Sequence, residues 1–292
     1  MLGVIGDLAQ DVVVTLKEEI RPATDTECDI SIRRGGSAAN TAAFAGPRYP
    51  TRFIGCVGDD LAGVALTEEL QSKQVDVRLQ VADVSTATIV VMIDLDGERK
   101  MFPSREASSA IKTIEDEWLK DLEILHITGY SLENEPTKTS VLEACKKVRK
   151  NGGKISMDVS STGSISHLGV DKFKEMIRDL APDIISANED ETDLLDINCD
   201  DAPGEFLAEL SPDTIVLSRA GSEPTRIFQG GKLISTVRVI PAEVVKDTTG
   251  AGDSFNGAFL ASYLREGNLV KAVEDAHALA RRVLGFSGAS EG

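Results

Sequence analysis

Cysteine is scarce and scattered in this 292-residue chain, and no two of Cys28, Cys56, Cys145 and Cys199 form a CxxC pair. Neither a zinc knuckle nor a thioredoxin-like redox motif is indicated, and a reduced, cytoplasmic chain is the simplest expectation. Basic residues are in deficit: 31 Lys and Arg stand against 48 Asp and Glu, a net charge of -17. Such a field repels nucleic-acid phosphates and anionic lipid, so neither nucleic acid nor a membrane is an expected partner. Long apolar runs are lacking too. The stretch from Met1 to Val14 has no basic start and is interrupted by Asp7 and Asp11, unlike a signal peptide or a membrane span. No Pro/Gly/Ser linker, internal repeat or low-complexity run divides the sequence.

What is present is the balance of a globular chain, 41% hydrophobic and 27% charged, with length enough for a sizeable core. Short β-branched runs predict strands at Leu2–Ile5, Thr51–Val57, Ala87–Leu95, Ile124–Thr128, Lys154–Val159, Ile184–Ala187, Thr214–Leu217 and Leu233–Val239. Between many of them, longer periodic stretches predict helices at Ala38–Ala45, Leu61–Gln71, Thr137–Lys150, Asp171–Leu180, Glu189–Leu195, Gly204–Leu210, Gly252–Glu266 and Leu269–Leu284. That alternation argues for a mainly parallel sheet covered on both faces. Residues 10–34 and 75–103 break the rhythm and read as extended, suited to a small β-sheet over one edge. The expected organisation is one domain over residues 1–292, with those two segments as a lid.

The most informative segment is Lys246–Leu260, KDTTGAGDSFNGAFL. Gly250, Ala251 and Gly252 suit a tight turn, and Phe255, Ala258 and Phe259 suit the helix that follows. The first N–H groups of a helix lack internal partners and carry the positive end of its dipole, so a glycine turn opening a helix can hold a phosphate. Asp253 falls in the first turn, where a carboxylate can take a proton from an attacking hydroxyl.

DTTGAGDSFNGAF resembles the second signature of the ribokinase-like, or PfkB, carbohydrate kinases, and RGGSAANTAAF at 34–44 with FIGCVGDDLAG at 53–63 is similar to the first. The resemblance runs from VIGD in the first strand to the last helix. It implies an α/β ribokinase-like three-layer sandwich, with a mainly parallel central sheet and a small β-sheet lid. It also implies an ATP- and Mg²⁺-dependent kinase acting on a hydroxyl of a sugar or sugar-like substrate. By position, Asp253 matches the family's catalytic base and Gly250, Ala251 and Gly252 its anion hole. Asp11, Gly35, Gly36 and Asn40 match the substrate pocket, where a carboxylate and an amide together accept from and donate to a polyol. Asn188 and Glu191 match an NxxE motif near the phosphates, with Glu191 organising Mg²⁺ through water. Ser218, Gly221 and His277 match the nucleotide side, and Asp247 and Thr249 the ligands of a monovalent cation such as K⁺. The lid's outer face implies a homodimer contact.

Three departures shape the reading. Ser37 stands where ribokinases often carry a lysine, so ribose itself is not singled out. SRAGSEP at 218–224 lacks the family's regular glycine spacing. Arg99 and Arg105 flank MFPS and could reach an anionic substrate group, although ordinary solvation is the commoner fate of an arginine. A nucleoside kinase on the same scaffold is an alternative, weakened by an aromatic content of only 4%. A non-catalytic sugar or nucleotide sensor is a second, opposed by the intact Asp253 and glycine turn.

Overall fold

Leu2, Val4 and Ile5 are fully buried because the chain enters the middle of its largest sheet at its second residue. The computed structural model describes residues 1–199 and 202–292, with the side chain of Cys199 outside that description. Strand β1 (Leu2–Ile5) is followed by β2 (Ala9–Leu16), β3 (Cys28–Gly35), α1 (Ser37–Ala45), β4 (Thr51–Gly58), α2 (Leu61–Ser72), β5 (Val75–Ala82), β6 (Ala87–Ile93) and β7 (Arg99–Ser104). Then come β8 (Ile124–Thr128), α3 (Thr137–Lys150), β9 (Lys154–Asp158), α4 (Thr162–Leu168), α5 (Val170–Leu180), β10 (Ile184–Ala187) and α6 (Glu189–Leu194). A short pair, β11 (Asn198–Cys199) and β12 (Ala202–Pro203), precedes β13 (Ile215–Ala220), β14 (Glu223–Gln229), β15 (Lys232–Val237), α7 (Ala251–Glu266) and α8 (Leu269–Val283).

The large sheet has the order β15-β14-β13-β10-β9-β8-β1-β4-β5. From β13 to β5 every pairing is parallel, while β14 and β15 run antiparallel. Alternate residues feed two cores, as the period of a strand requires. Leu2, Val4, Ile124, Ile184 and Leu217 pack with Ala42, Leu66, Phe259 and Val273 of α1, α2, α7 and α8. Ile5, Leu125, Ile127, Ile185 and Val216 pack with Val141, Val148, Phe173 and Ile177 of α3 and α5. The result is the three-layer arrangement expected. Among the described residues no helix is long and apolar enough to cross a membrane.

Helix α7 is central to the first of those layers: Ser254–Ser262 are buried without a break. Its packing depends on Gly257, where a Cβ would lie 2.7 Å from the Thr41 carbonyl oxygen of α1. The two helix backbones therefore nearly touch.

The small sheet has the order β3-β2-β6-β7. Its register sets Ala9 opposite Gly35 and Ala87, and Thr88 opposite Ser104. All four connections to the rest of the chain thus leave from one end of the sheet, and the turns at 17–27 and 94–98 form the other. The extended segment 75–103 divides between the sheets, which corrects the lid boundaries expected from sequence. β5 pairs parallel to β4 at the edge of the large sheet, because β4, α2 and β5 close a βαβ unit. Where the chain leaves that edge, Asp60 accepts hydrogen bonds from the Thr86 N–H and hydroxyl as well as from the Gly63 N–H that opens α2.

One other expectation changes, and two elements form that were not expected. Gly204–Leu210 forms only a 3₁₀ turn at Glu205–Glu209. β14 was hidden by Pro224 and the glycines that follow it, and the register shifts between Ser218 and Ala220 where that proline must fit. α4 was hidden by its serines, threonine and glycine, residues that favour turns, yet the fully buried Ile165 anchors it.

Candidate active site

The large sheet reverses its order at β1, since the chain proceeds to β4 and β5 on one side and to β8, β9, β10 and β13 on the other. Such a reversal leaves a crevice at the carboxyl ends of the strands. Asp7 follows β1, Tyr130 follows β8, Asp158 ends β9, Asn188 follows β10 and Arg219 lies at the end of β13. With the first turn of α7 they line a cleft of about 1000 Å³, room enough for two small ligands side by side.

Asp253 sits at the centre. Its Oδ1 accepts a hydrogen bond from the Ser37 hydroxyl at 2.7 Å and its Oδ2 from the Asn40 amide at 2.9 Å. Both donors lie in the first turn of α1, held against α7 by the close approach at Gly257. Burial pushes the carboxyl up to about 7, against the two hydrogen bonds and with help from the charges of Asp158 and Asp7. A carboxyl poised near neutrality is suited to accept a proton. Beside it, Gly250 caps α7 in the left-handed region at φ 78°, with no side-chain cap. Among the described residues neither the Gly252 nor the Asp253 N–H has a backbone acceptor, so both are free to bind an anion.

On the acceptor side, Asp11 Oδ1 is buried with no hydrogen-bond partner, and burial, with Asp7 adding, pushes its carboxyl up to about 6. Such an atom is suited to hydroxyl donors from a ligand. Gly35 lies beneath it: a Cβ there would stand 1.9 Å from Asp11 Oδ1. Gly36, at φ 92°, passes so close that a Cβ would meet the Asp7 carbonyl oxygen at 2.5 Å. Because Gly36 has no side chain to cap α1, Asp7 takes that role, accepting from the Ser37 N–H at 3.0 Å and the Ala38 N–H at 3.1 Å. Asn40 is placed differently from its expected role. It is buried, its Oδ1 accepts from Arg34 Nε at 3.1 Å while its amide nitrogen donates to Asp253, so it relays and orients instead of facing the cleft. Ile89, Met101, Pro103 and Arg105 complete this side, with Arg105 4.8 Å above the Tyr130 ring and paired with Glu133.

On the phosphate side, Asn188 and Glu191 form a reciprocal cap: Asn188 Oδ1 accepts from the Glu191 N–H, and Glu191 Oε2 from the Asn188 N–H, both at 2.9 Å. Burial and then the neighbouring Asp158 push the Glu191 carboxyl upward. Two buried carboxylates that repel one another suit a hard divalent cation such as Mg²⁺, which takes oxygen ligands and retains water. Among the described residues no group of three or more His, Cys, Asp or Glu gathers to hold a metal ion. Arg219, which sequence reasoning missed, donates to Asp158 Oδ1 at 2.9 Å and lies over the Phe255 ring. A Cβ on Gly252 would meet its Nη1 at 2.9 Å, so a guanidinium stands against the open N–H groups. Its only sequence signal was its place just after a buried strand.

On the nucleotide side, Gly221 and Ser222 line the cleft with Thr225, Val239, Ile240 and His277. His277 Nε2 shares a hydrogen bond with Thr225 Oγ1 at 2.8 Å, its ring tilts against Phe255, and burial lowers its pKa. Ser218 does not reach the cleft: it is buried in β13. Asp247 and Thr249 do come together, with Thr249 on the cleft wall, but around an arginine. Arg99 donates to Asp247 Oδ1 at 2.6 Å and to Thr249 Oγ1 at 2.9 Å. Burial alone would raise Asp247, but the Thr249 and Gly288 N–H groups and Arg99 hold it well below the usual carboxylate range.

The chain is similar to known kinases over most of its length. A fructokinase of Vibrio alginolyticus is 29% identical over 238 residues, covering 79% of this chain and 76% of the relative. An ATP-dependent ribose-1-phosphate kinase of Halopiger xanaduensis is 29% identical over 286 residues, covering 94% and 90%. The crystal structure of a putative ribokinase II from E. coli in complex with ATP and Mg²⁺ superposes with a TM-score of 0.84 at 24% identity, covering 100% of this chain and 94% of that one. The model of the pfkB family carbohydrate kinases matches residues 1–292, and the chain belongs to that family.

Proposed function

We propose that the chain transfers the γ-phosphoryl group of ATP to a hydroxyl of a sugar or sugar-like acceptor, with Asp253 as the base. One observation carries this reading: the Asp253 carboxylate, held by Ser37 and Asn40, lines the cleft beside the Gly252 and Asp253 N–H groups, which have no backbone acceptor among the described residues. In this reading the acceptor lies against Asp11, whose bare Oδ1 receives hydrogen bonds from its hydroxyls. Asp253 takes the proton of the attacking hydroxyl, while Ser37 and Asn40 hold the carboxylate in line. Charge developing on the phosphoryl group falls on the Gly252 and Asp253 N–H groups, with the Arg219 guanidinium beside them. Asp158 and Glu191 would hold Mg²⁺, largely through water, and the ion would neutralise phosphate charge. The small sheet serves as a lid of the single domain, excluding water that would otherwise consume ATP.

A nucleoside acceptor is a second reading, favoured by the apolar stretch of Ile89, Met101 and Pro103 beside Asp11, which could cover a base. Arg105, on the same wall, would suit an acceptor already bearing phosphate. The test is a panel of sugars, sugar phosphates and nucleosides with Mg·ATP, run on the parent and on Asp253→Asn. The variant should keep its fold and lose turnover by at least about a hundredfold, as loss of a general base implies. Near-parental turnover by the variant would remove Asp253 from its role.

The homodimer belongs to the same reading. On the face of the small sheet away from Asp11, Ile32 pairs with Val12, Val12 with Val90 and Val90 with Phe102. Ile32 is 65% exposed, Ile30 63% and Phe102 54%, an apolar row suited to the same row of a second copy.

A further inference from the structure

The two residues expected to bind a monovalent cation already have partners. Asp247 Oδ1 accepts from Arg99 Nη2 at 2.6 Å and from the Thr249 N–H at 2.9 Å. Its Oδ2 accepts from the Gly288 N–H at 2.8 Å and lies 3.9 Å from Arg33 Nη1. Thr249 Oγ1 accepts from Arg99 Nη1 at 2.9 Å. Each of the three side-chain oxygens is thus engaged by this chain's own donors. Two guanidinium groups beside one carboxylate also leave the spot electropositive, and a further cation would be repelled. The donor set does not fit K⁺.

We propose that Arg99 supplies, from within the chain, the positive charge that a bound monovalent cation would bring to the loop preceding α7, so that the enzyme works without K⁺. The proposal rests on the phosphotransfer reading above and deepens it. Arg99 is a positioning residue: it touches neither ligand but fixes Asp247 and Thr249, and Thr249 directly precedes Gly250 and the open N–H groups. Its planar fork presents Nη1 to Thr249 and Nη2 to Asp247 in a fixed geometry, where a lysine would bring a single flexible ammonium. It also opens β7, at the end of the small sheet far from the four connections. The order of the anion-binding loop is therefore tied to the position of that sheet over the cleft.

The test compares K⁺, Na⁺ and tetramethylammonium as sole monovalent cation. The parent should turn over its acceptor equally in all three, within about twofold. Arg99→Ala in tetramethylammonium should lose about 10- to 100-fold in kcat, the loss expected for a hydrogen-bonded charge. K⁺ should restore part of that, and Arg99→Lys should lie between variant and parent. A second readout needs no acceptor. The thermal midpoint of the parent should be the same in K⁺ and tetramethylammonium, whereas that of Arg99→Ala should rise in K⁺ alone as the ion binds the vacated carboxylate. Several-fold activation of the parent by K⁺, a K⁺-specific rise in its midpoint, or an Arg99→Ala variant as active as the parent would overturn the proposal. Absence of turnover on every acceptor would instead count against the substrate reading, with the unfolding comparison still deciding the role of Arg99.

Discussion

Asp253 has two properties that can be separated by pH. Its ordinary value is 3.8 and its value in the fold about 7, so between these the folded chain holds a proton that the unfolded chain has released. Stability contributed by this carboxyl therefore falls as pH rises across that window. Asp253→Asn should be more stable than the parent at about pH 8, with the gap closing towards about pH 5, as thermal unfolding at the two values would register. Activity should move oppositely, because the base must be ionised: kcat/KM should climb through about pH 7. Ser37→Ala removes a donor that favours the ionised form, so it should move that inflection upward by about one unit. An unmoved inflection would detach Ser37 from the base. At this scale the sequence made the glycine turn and the place of Asp253 in the first turn of α7 legible, because a helix N-terminus follows from local pattern. It could not reveal that Asn40 faces inward, that Asp7 caps α1 or that Arg219 reaches Gly252, since each depends on contacts between residues far apart in the chain.

The helices α1 and α7 carry the two halves of the site, and their spacing is set at Gly257. Gly257→Ala would drive a methyl group into the Thr41 carbonyl and the Phe44 side chain. Separation of the helices should cost about 1–3 kcal/mol of stability and should lengthen the Ser37 and Asn40 contacts to Asp253. Unfolding and kcat measured on this variant should both fall; an unchanged kcat would mean that the contacts tolerate movement of the helices. Elements with a clear apolar pattern were legible to within a residue or two, among them α3, buried along one face, and β8, buried throughout. β14 and α4 were not, because proline, serine and glycine there signal turns while neighbours in space decide the outcome.

The molecule as a whole was legible in outline: a parallel sheet covered on both faces, with a smaller sheet added. The parting of β5 from β6 was not, because pairing partners are a property of the folded chain. If the exposed row of the small sheet joins two copies, light scattering after size exclusion should report a dimer, and Ile32→Glu should yield a monomer by setting a charge in the seam. A parent that remains monomeric at micromolar concentration would leave that row without a partner copy. The attachment of all four strands at one end has a mechanical consequence. Six residue steps along β6 separate Ala87 from Ile93, the partner of Arg99, giving a lever of about 20 Å at about 3.3 Å per residue. A tilt of about 10° at the anchored end would swing the tip by about 3 Å on such a lever, enough to part a guanidinium from its carboxylate. Small angular changes near Thr86 are thus amplified into the making or breaking of a single ionic clasp.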